Sequence, residues 1–152
     1  MCAVKQIKVN AIKNGTVIDH IPAGKVLRLI ELLNLTGKNS VMIGMNLHSE
    51  KLGCKDIIKI ENRELTEPEV QSLALIAPQA SVIIIKDFEV SKKINVEIPN
   101  YVENLLLCPN EKCITNMEGI PTKFNLHHNS NVKVRCAYCE KKYQIDEVKF
   151  RV

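Results

Sequence analysis

The sequence is poor in aromatic residues and contains no tryptophan. Phe88 is the only aromatic residue among the first 100, whereas the others lie between Tyr101 and Phe150. We therefore expect a large aliphatic core in the first part of the chain and a smaller core, helped by rings, in the second. Two domains are predicted, residues 1–98 and 99–152.

The sequence also lacks long apolar runs. No stretch approaches the roughly 20 apolar residues that span a bilayer, so no membrane segment is predicted. Residues 1–6 (MCAVKQ) show neither the apolar core nor the cleavage site of a signal peptide, and we expect a cytoplasmic protein. The net charge of +4 permits contact with phosphates or with an acidic protein and demands neither.

Motifs of common enzymes are missing as well. There is no Walker-type phosphate loop, no GxGxxG fingerprint and no nucleophile elbow. Asp19 and His20 are adjacent, so on a strand their side chains face opposite sides and do not form an acid–base pair. We expect a protein that is not an enzyme.

Six cysteines are present, and four of them form two closely spaced pairs. Cys108 and Cys113 have four residues between them, Cys136 and Cys139 have two, and 22 residues separate the pairs. Two such turns can present four sulfurs at tetrahedral corners, the geometry of a structural Zn²⁺ site without an open position. The alternatives are two disulfides or four buried thiols, but nothing in the sequence suggests secretion. We predict one structural zinc ion per chain.

The first domain shows alternating and helical patterns in turn. Residues 4–21 are predicted as a hairpin around Asn14 and Gly15, the pair that favours a type I′ turn. The apolar spacing from Gly24 to Leu35 predicts an amphipathic helix.

Two strands are expected next. In the strand 41–47, the odd-numbered apolar residues are predicted to share one face. In the strand 55–60, the same period places Ile58 and Ile60 on one face and Lys55 and Lys59 on the other.

A second helix and a further strand complete this domain. Thr66 and Glu69 form a capping box, and Pro78 stops the helix. The apolar run 81–85 predicts a central strand. The whole order predicts an α+β fold: a ferredoxin-like sandwich with an antiparallel sheet, both helices on one face and the other face open.

Short strands near residues 124–126, 132–134 and 143–145 alternate with the cysteine turns. They predict a small zinc-ribbon, rubredoxin-like β domain after the sandwich. A hinge is expected around Pro99.

Polar groups on the open face offer a possible ligand site. If His20, Lys55, Lys59, Lys92 and Lys93 converge there, they could hold phosphates, and Asp19 could accept a hydrogen bond from a ribose hydroxyl. A solvated charged rim is the alternative, and residue types alone leave both open.

Four segments together resemble one known family. They are residues 11–22 (AIKNGTVIDHIP), 55–62 (KDIIKIEN), 73–80 (LALIAPQA) and the cysteine turns at 108–110 (CPN) and 136–141 (CAYCEK). In this order they are similar to the regulatory chains of aspartate carbamoyltransferase, an enzyme of pyrimidine biosynthesis. The resemblance covers almost the whole chain.

The resemblance implies a non-catalytic allosteric subunit. It implies that CTP and ATP compete for one nucleotide site, that the chain forms regulatory dimers through its first domain, and that the zinc domain docks on the catalytic chain. No nucleic-acid or membrane partner is expected.

The resemblance also implies site residues. For the nucleotide they are Ala11, Ile12, Val17, Asp19, His20, Lys59, Phe88, Val90 and Lys93. Zinc is implied at Cys108, Cys113, Cys136 and Cys139, and docking on the catalytic chain at Asn110, Glu118 and Tyr138.

The chain departs from the family pattern close to the base. Asn10 stands where other members carry glutamate, Ile83 where they carry asparagine, and Phe88 where they carry tyrosine. A nucleic-acid-binding zinc ribbon is the alternative function, supported by the cations Lys133, Arg135, Lys141, Lys142, Lys149 and Arg151.

Overall fold

The computed structural model describes residues 11–35, 37–129 and 131–151. The contacts between residues divide the chain into two compact units, with the boundary between Glu97 and Ile98. The first unit has one sheet and the second has two, and each unit has its own buried side chains. The described part of the chain contains no helix with the length and apolar character that crossing a membrane requires.

The first unit contains five strands and two helices: β1 (Gly15–Pro22), α1 (Val26–Leu32), β2 (Val41–Ser49), β3 (Gly53–Glu61), α2 (Glu67–Ile76), β4 (Ser81–Lys86) and β5 (Glu89–Asn95). The strands form one antiparallel sheet in the order β2-β3-β1-β4-β5. Helices α1 and α2 connect β1 to β2 and β3 to β4, so the first six elements run βαββαβ, the ferredoxin-like pattern. The fold prediction is therefore confirmed.

The main core lies between the helices and one face of this sheet. Ile58 and Ile60 are fully buried there, as their alternation in β3 predicts, and Leu29 and Leu73 are fully buried on the helices. The predicted capping box of α2 is present: Thr66 accepts a hydrogen bond from the backbone of Glu69, whose side chain accepts from Thr66 N. The local sequence signals therefore correctly predict the buried face of the sheet and the start of the second helix.

The predicted hairpin at the start of the chain is wrong. Strand β1 pairs with β3 on one side and β4 on the other, so neither edge is left for a preceding strand. The predicted strand around Ile7 and Val9 lies outside the described residues.

Gly15 allows β1 to approach the backbone of β3 closely, because its φ is +144° and a Cβ there would lie 2.0 Å from Ile60 O.

The face prediction for β2 is also wrong in its second half. The β2–β3 register shifts between Gly44 and Leu47, around Asn46, which has a φ of +55°. Because this bulge adds one residue, Leu47 turns to the open face of the sheet, away from the face of Ile43. Local alternation carries no signal of such an insertion.

The buried carboxylate of Asp56 holds this bulge in place. Its Oδ1 accepts a hydrogen bond from Asn46 N at 2.9 Å, and its Oδ2 accepts from Gly24 N at 2.9 Å and Val26 N at 3.3 Å. Asp56 is wholly buried, so these three amides compensate for the loss of water. One side chain thereby joins the start of α1 to the bulge of β2.

The second unit contains β6 (Tyr101–Glu103), β7 (Leu106–Leu107), α3 (Ile114–Met117), β8 (Lys123–His128), β9 (Val132–Cys136), β10 (Lys142–Gln144), a 3₁₀ turn (Ile145–Glu147) and β11 (Lys149–Phe150). Its strands form a four-stranded sheet in the order β10-β9-β8-β6 and a two-stranded sheet of β7 and β11. Phe124 and Leu106 are the largest fully buried side chains among its described residues.

Candidate functional site

One row of residues crosses the open face of the first unit's sheet. In the register of the strands, Lys59 lies opposite Val17, Val17 opposite Ile83, and Ile83 opposite Lys93. Side chains paired in this way point to the same face. Two apolar residues in the centre of the row are therefore flanked by a lysine on either side.

Beside this row the face is apolar. Ile12, from the loop before β1, is buried with Val17 and Ile57 in one cluster, against which Leu47, Ile83 and Ile85 pack. The loop therefore partly covers the sheet on the side away from the helices.

Asp19 lies further along β1 and forms an ion pair with Lys55 of β3, the neighbouring strand in the sheet. Lys55 Nζ is 2.9 Å from Asp19 Oδ1 and 3.2 Å from Oδ2, and His20 N donates to Oδ1 at 2.7 Å. Burial on its own raises the pKa of the Asp19 carboxyl, but the hydrogen bonds from the Lys55 side chain and the His20 amide, together with the electrostatic attraction of these two residues, outweigh it. The pKa of Asp19 is consequently below its ordinary value.

His20 occupies an irregular position. It has a φ of +57° and lies where the β1–β3 register shifts. Its Nδ1 is buried and has no hydrogen-bond partner among the described residues; Asp19 Oδ2 is 4.0 Å away. A buried polar atom without a partner is uncommon, and here it adjoins the Asp19–Lys55 pair.

The other residues implied for the nucleotide lie at one edge of this face. Ala11 is exposed in the loop that carries Ile12, and Phe88 N donates to the carbonyl of Lys13 in the same loop at 2.9 Å. Phe88 and Val90 are each 63% exposed. The fold thus brings the nine implied residues to one face of the sheet or to the loops at its border.

In the second unit the four paired cysteines converge. Their sulfur atoms all lie within 4.8 Å of one another, with Cys108 Sγ 3.7 Å from Cys139 Sγ and Cys113 Sγ 3.8 Å from Cys136 Sγ. A disulfide would require about 2.05 Å. A tetrahedral ion with metal–sulfur bonds of about 2.3 Å places its sulfurs about 3.8 Å apart. The observed spacing therefore fits a four-thiolate metal centre.

Backbone amides of both turns surround these sulfurs. Burial raises the pKa of the Cys108 and Cys136 thiols, although the amides of Asn110 and of Tyr138 and Cys139 oppose it. At Cys113 burial is outweighed by hydrogen bonds from the hydroxyl and amide of Thr115, which lower the pKa to about 7. Such donors stabilise thiolates, the form that a metal ion binds.

Two polar residues that the sequence analysis did not single out build the first turn. Thr115 is buried, and its Oγ1 donates to Cys113 Sγ at 3.2 Å. Asn116 Nδ2 bridges the carbonyl of Cys108 at 2.9 Å and that of Asn110 at 2.7 Å. They lie two and three residues after Cys113, so their place just after the first cysteine pair was the available signal.

The three residues implied for docking differ in their surroundings. Glu118 and Tyr138 are exposed, whereas Asn110 is half-buried and its side chain accepts a hydrogen bond from Lys112 N at 3.2 Å. Asn110 and Tyr138 lie in the turns that carry the cysteines, and Glu118 directly follows α3, the helix that begins after Cys113. Among the cations that support a nucleic-acid role, Arg135 pairs with Glu140 at 3.4 Å.

Family models match nearly the whole chain. Residues 7–97 match the allosteric domain of the aspartate carbamoyltransferase regulatory chain, and residues 100–149 match the metal binding domain of the same chain.

Individual relatives match over similar lengths. The aspartate carbamoyltransferase regulatory chain of Pyrococcus abyssi is 50% identical over 146 residues, covering 94% of this chain and 96% of the relative. That of Thermococcus kodakarensis is 47% identical over 146 residues, covering 95% and 96%. That of Methanothermobacter thermautotrophicus is 44% identical over 145 residues, covering 94% and 93%.

The metal centre leads to a first prediction. Cys136→Ser should release the metal and unfold the second unit, because that unit has a small core, while the first unit keeps its structure. Thr115→Val should keep one metal per chain but weaken its binding about 10-fold, because the Cys113 thiolate loses a hydrogen bond. Metal analysis and NMR spectra of both variants test this.

Thr122→Val is the matched control for the loss of a buried hydroxyl. Thr122 is buried in the same unit, but it donates to the carbonyl of Leu106 instead of a cysteine. If Thr122→Val and Thr115→Val weaken metal binding equally, Thr115 has no specific role at the centre.

A second prediction concerns Asp19. Lys55→Met should raise the pKa of the Asp19 carboxyl, because burial is then opposed only by His20. In the wild type the folded-state pKa lies below the unfolded one, so ionised Asp19 stabilises the fold above the unfolded pKa. That contribution is lost as pH falls through the folded pKa. A ¹³C NMR titration of the carboxyl measures both values, with Lys92→Met as control; an unchanged pKa in Lys55→Met contradicts the assignment.

Proposed function

The chain belongs to the family of aspartate carbamoyltransferase regulatory chains, and we propose that it transmits the binding of nucleoside triphosphates to the catalytic chain. It is a regulatory, non-catalytic subunit with an allosteric domain and a metal-binding domain. We infer that CTP and ATP compete for a single site on the open face of the first unit.

The observation that carries this proposal is the row with a lysine at each end. Neighbouring strands are about 4.8 Å apart, so the backbones of Lys59 and Lys93 are about 14 Å apart. Two long lysine side chains at that separation suit an extended anion with several charges. A triphosphate near Lys93 and its ribose near Lys59 would each have a positively charged hydrogen-bond donor within reach.

The remaining groups fit the other parts of a nucleotide. Asp19 can accept a hydrogen bond from a ribose hydroxyl, and His20 offers a nitrogen without a partner near the same place. The apolar residues Ile12, Val17 and Ile83 form a surface on which a base can lie. Because Ile83 supplies no polar atom at the family's asparagine position, we propose that the phosphates contribute more to affinity than the base does.

Regulation follows if the nucleotide binds two states of the assembly with different affinity. The ligand then shifts the balance between the states by the difference in its binding free energies, commonly about 1–3 kcal/mol. Such a shift changes the response of the catalytic chain to aspartate without any chemistry on the regulatory chain.

For the metal we propose Zn²⁺, one ion per chain. Four thiolates at tetrahedral spacing leave no coordination site for a substrate, so the ion has a structural role. We further propose that the turns it holds dock on the catalytic chain, with Glu118, Tyr138 and Asn110 in or beside the contact.

Self-association through the first unit is proposed at strand β2. This strand is an edge of the sheet, and Ile43 and Met45 are 42% and 43% exposed on it. An exposed edge with apolar side chains is a template for pairing with another strand, and a second copy can meet it about a two-fold axis.

Sedimentation of the full chain tests the dimer. Ile43→Lys should shift the chain to monomer, because a charge would be buried at the contact. Leu27→Lys is the control, since Leu27 is 60% exposed but belongs to α1 and not to the edge strand. A wild-type chain that stays monomeric at micromolar concentration contradicts the proposal.

The nucleotide site is tested with two neighbouring lysines. Lys93→Ala should weaken CTP and ATP binding about 10-fold, the value of one charge-assisted hydrogen bond. Lys92→Ala should have little effect, because Lys92 pairs with Ile84 and so points to the opposite face. Calorimetry on the full chain measures affinity, and assays of the assembled enzyme measure the response to aspartate.

Two outcomes contradict this assignment. If both alanine variants weaken binding equally, the effect comes from general charge and not from a site on the open face. If neither nucleotide binds the wild type or alters the assembled enzyme, the chain has only a structural role in the assembly.

A further inference from the structure

The pair Asn14 and Gly15, predicted as the turn of a hairpin, makes other contacts in the structure. Asn14 ends the loop before β1, which also carries Ile12. Its side-chain Oδ1 accepts a hydrogen bond from Asp87 N at 3.1 Å. Its carbonyl accepts from Asn62 N, in the connection between β3 and α2, at 3.0 Å. Asn14 therefore joins three segments that are far apart in the sequence.

The turn between β4 and β5 has a backbone that most side chains avoid. It consists of Asp87 and Phe88, and both have positive φ, +51° and +65°. Two-residue turns of this kind require positive φ at both positions, which is uncommon for a bulky residue. The backbone amides of the two central residues have no partner within the hairpin, so they need partners from elsewhere.

The loop before β1 supplies both partners. Asp87 N donates to the side chain of Asn14, and Phe88 N donates to the carbonyl of Lys13 at 2.9 Å. The second hydrogen bond uses only the backbone and can form with any residue at position 13. The first requires a side-chain acceptor at position 14. The attachment of this turn to the loop therefore depends on the identity of residue 14.

This attachment lies at the end of the nucleotide site where the base is expected. Ile12 is buried with Val17 against the open face of the sheet. Phe88 is 63% exposed, so its ring is accessible to a ligand. Aromatic rings stack on bases of every kind, because every base has a π-face. Ile12 and Phe88 thus belong to the two segments that the Asn14 side chain joins.

We propose that Asn14 is a positioning residue of the nucleotide site. It holds the turn of Phe88 against the loop of Ile12 and so shapes the end of the site that receives the base. The inference rests on the proposed nucleotide site. Asn14 acts without touching the nucleotide, by keeping the site in the conformation that binds it. The triphosphate is assigned to Lys93, so its binding is independent of Asn14.

Calorimetry on the full chain tests this with three ligands: CTP, ATP and inorganic triphosphate, which has neither base nor ribose. Asn14→Ala should weaken the binding of both nucleotides about 5-fold, the value of one neutral hydrogen bond, and change triphosphate binding less than about 2-fold. Asn14→Asp keeps an acceptor oxygen for Asp87 N and should keep the wild-type ratio of nucleotide affinity to triphosphate affinity. The ratio cancels the general effect of the added charge, because that charge acts on all three anions.

Asn39→Ala is the matched control. Asn39 Nδ2 donates to the carbonyl of Glu61 at 3.0 Å, so this variant also removes an asparagine hydrogen bond to the backbone of the first unit. It leaves the attachment of the β4–β5 turn unchanged and should bind all three ligands within about 2-fold of the wild type. NMR spectra show that each variant is folded, and hydrogen exchange of the Asp87 amide should become faster in Asn14→Ala but not in Asn39→Ala.

Four outcomes overturn the positioning role while leaving the nucleotide site intact. They are wild-type nucleotide affinity in Asn14→Ala, equal losses for nucleotides and triphosphate in that variant, an equal loss of nucleotide affinity in Asn39→Ala, and the same loss of the affinity ratio in Asn14→Asp as in Asn14→Ala. A wild-type chain that binds nucleotides but not triphosphate also overturns it, because base and phosphates are then not independent. If the wild-type chain binds neither nucleotide, the proposed nucleotide function itself fails.

Discussion

The second unit depends on the spacing of four sulfur atoms. Distances of 3.7 and 3.8 Å between them are too long for disulfides and match the edges of a tetrahedron around a metal ion. Its strands are short and its fully buried large side chains are few, so burial alone provides little stability. The same four sulfurs also fix the conformation of the two cysteine turns at the surface of the unit. One interaction therefore serves both the stability of the unit and the shape of its surface.

In the first unit, one face of the sheet is buried, whereas the other face remains available for a ligand. Both helices cover the face of Ile58 and Ile60, while the opposite face combines apolar side chains with Lys55 and Lys59. Alternation along a strand makes this division possible, because neighbouring residues serve different faces. An ion-pairing carboxylate such as Asp19 can then lie beside the apolar surface without disturbing the core.

Local patterns predicted most of the elements and the cysteine cluster. The isoleucine alternation of β3, the capping box at Thr66 and the paired cysteines each involve residues a few positions apart, so the signal and its physical cause are local. The bulge of β2 was missed because it depends on Asp56, whose carboxylate joins segments 10 and 32 residues away. The predicted hairpin failed for a similar reason: β1 finds better partners in β3 and β4, which come much later in the chain.

Lys55 and Asp56 show how closely the two faces of the sheet are connected. They are consecutive residues of β3, so they point to opposite faces: one pairs with Asp19 on the open face, and the other holds the bulge of the β2 edge. A ligand that binds Asp19 or Lys55 disturbs this ion pair. It thereby acts on β3, where the residue after Lys55 is Asp56, which shapes the β2 edge. The candidate site and the candidate dimer edge thus share the backbone of β3 within one sheet, a packed connection of the kind that can carry coupling between two sites.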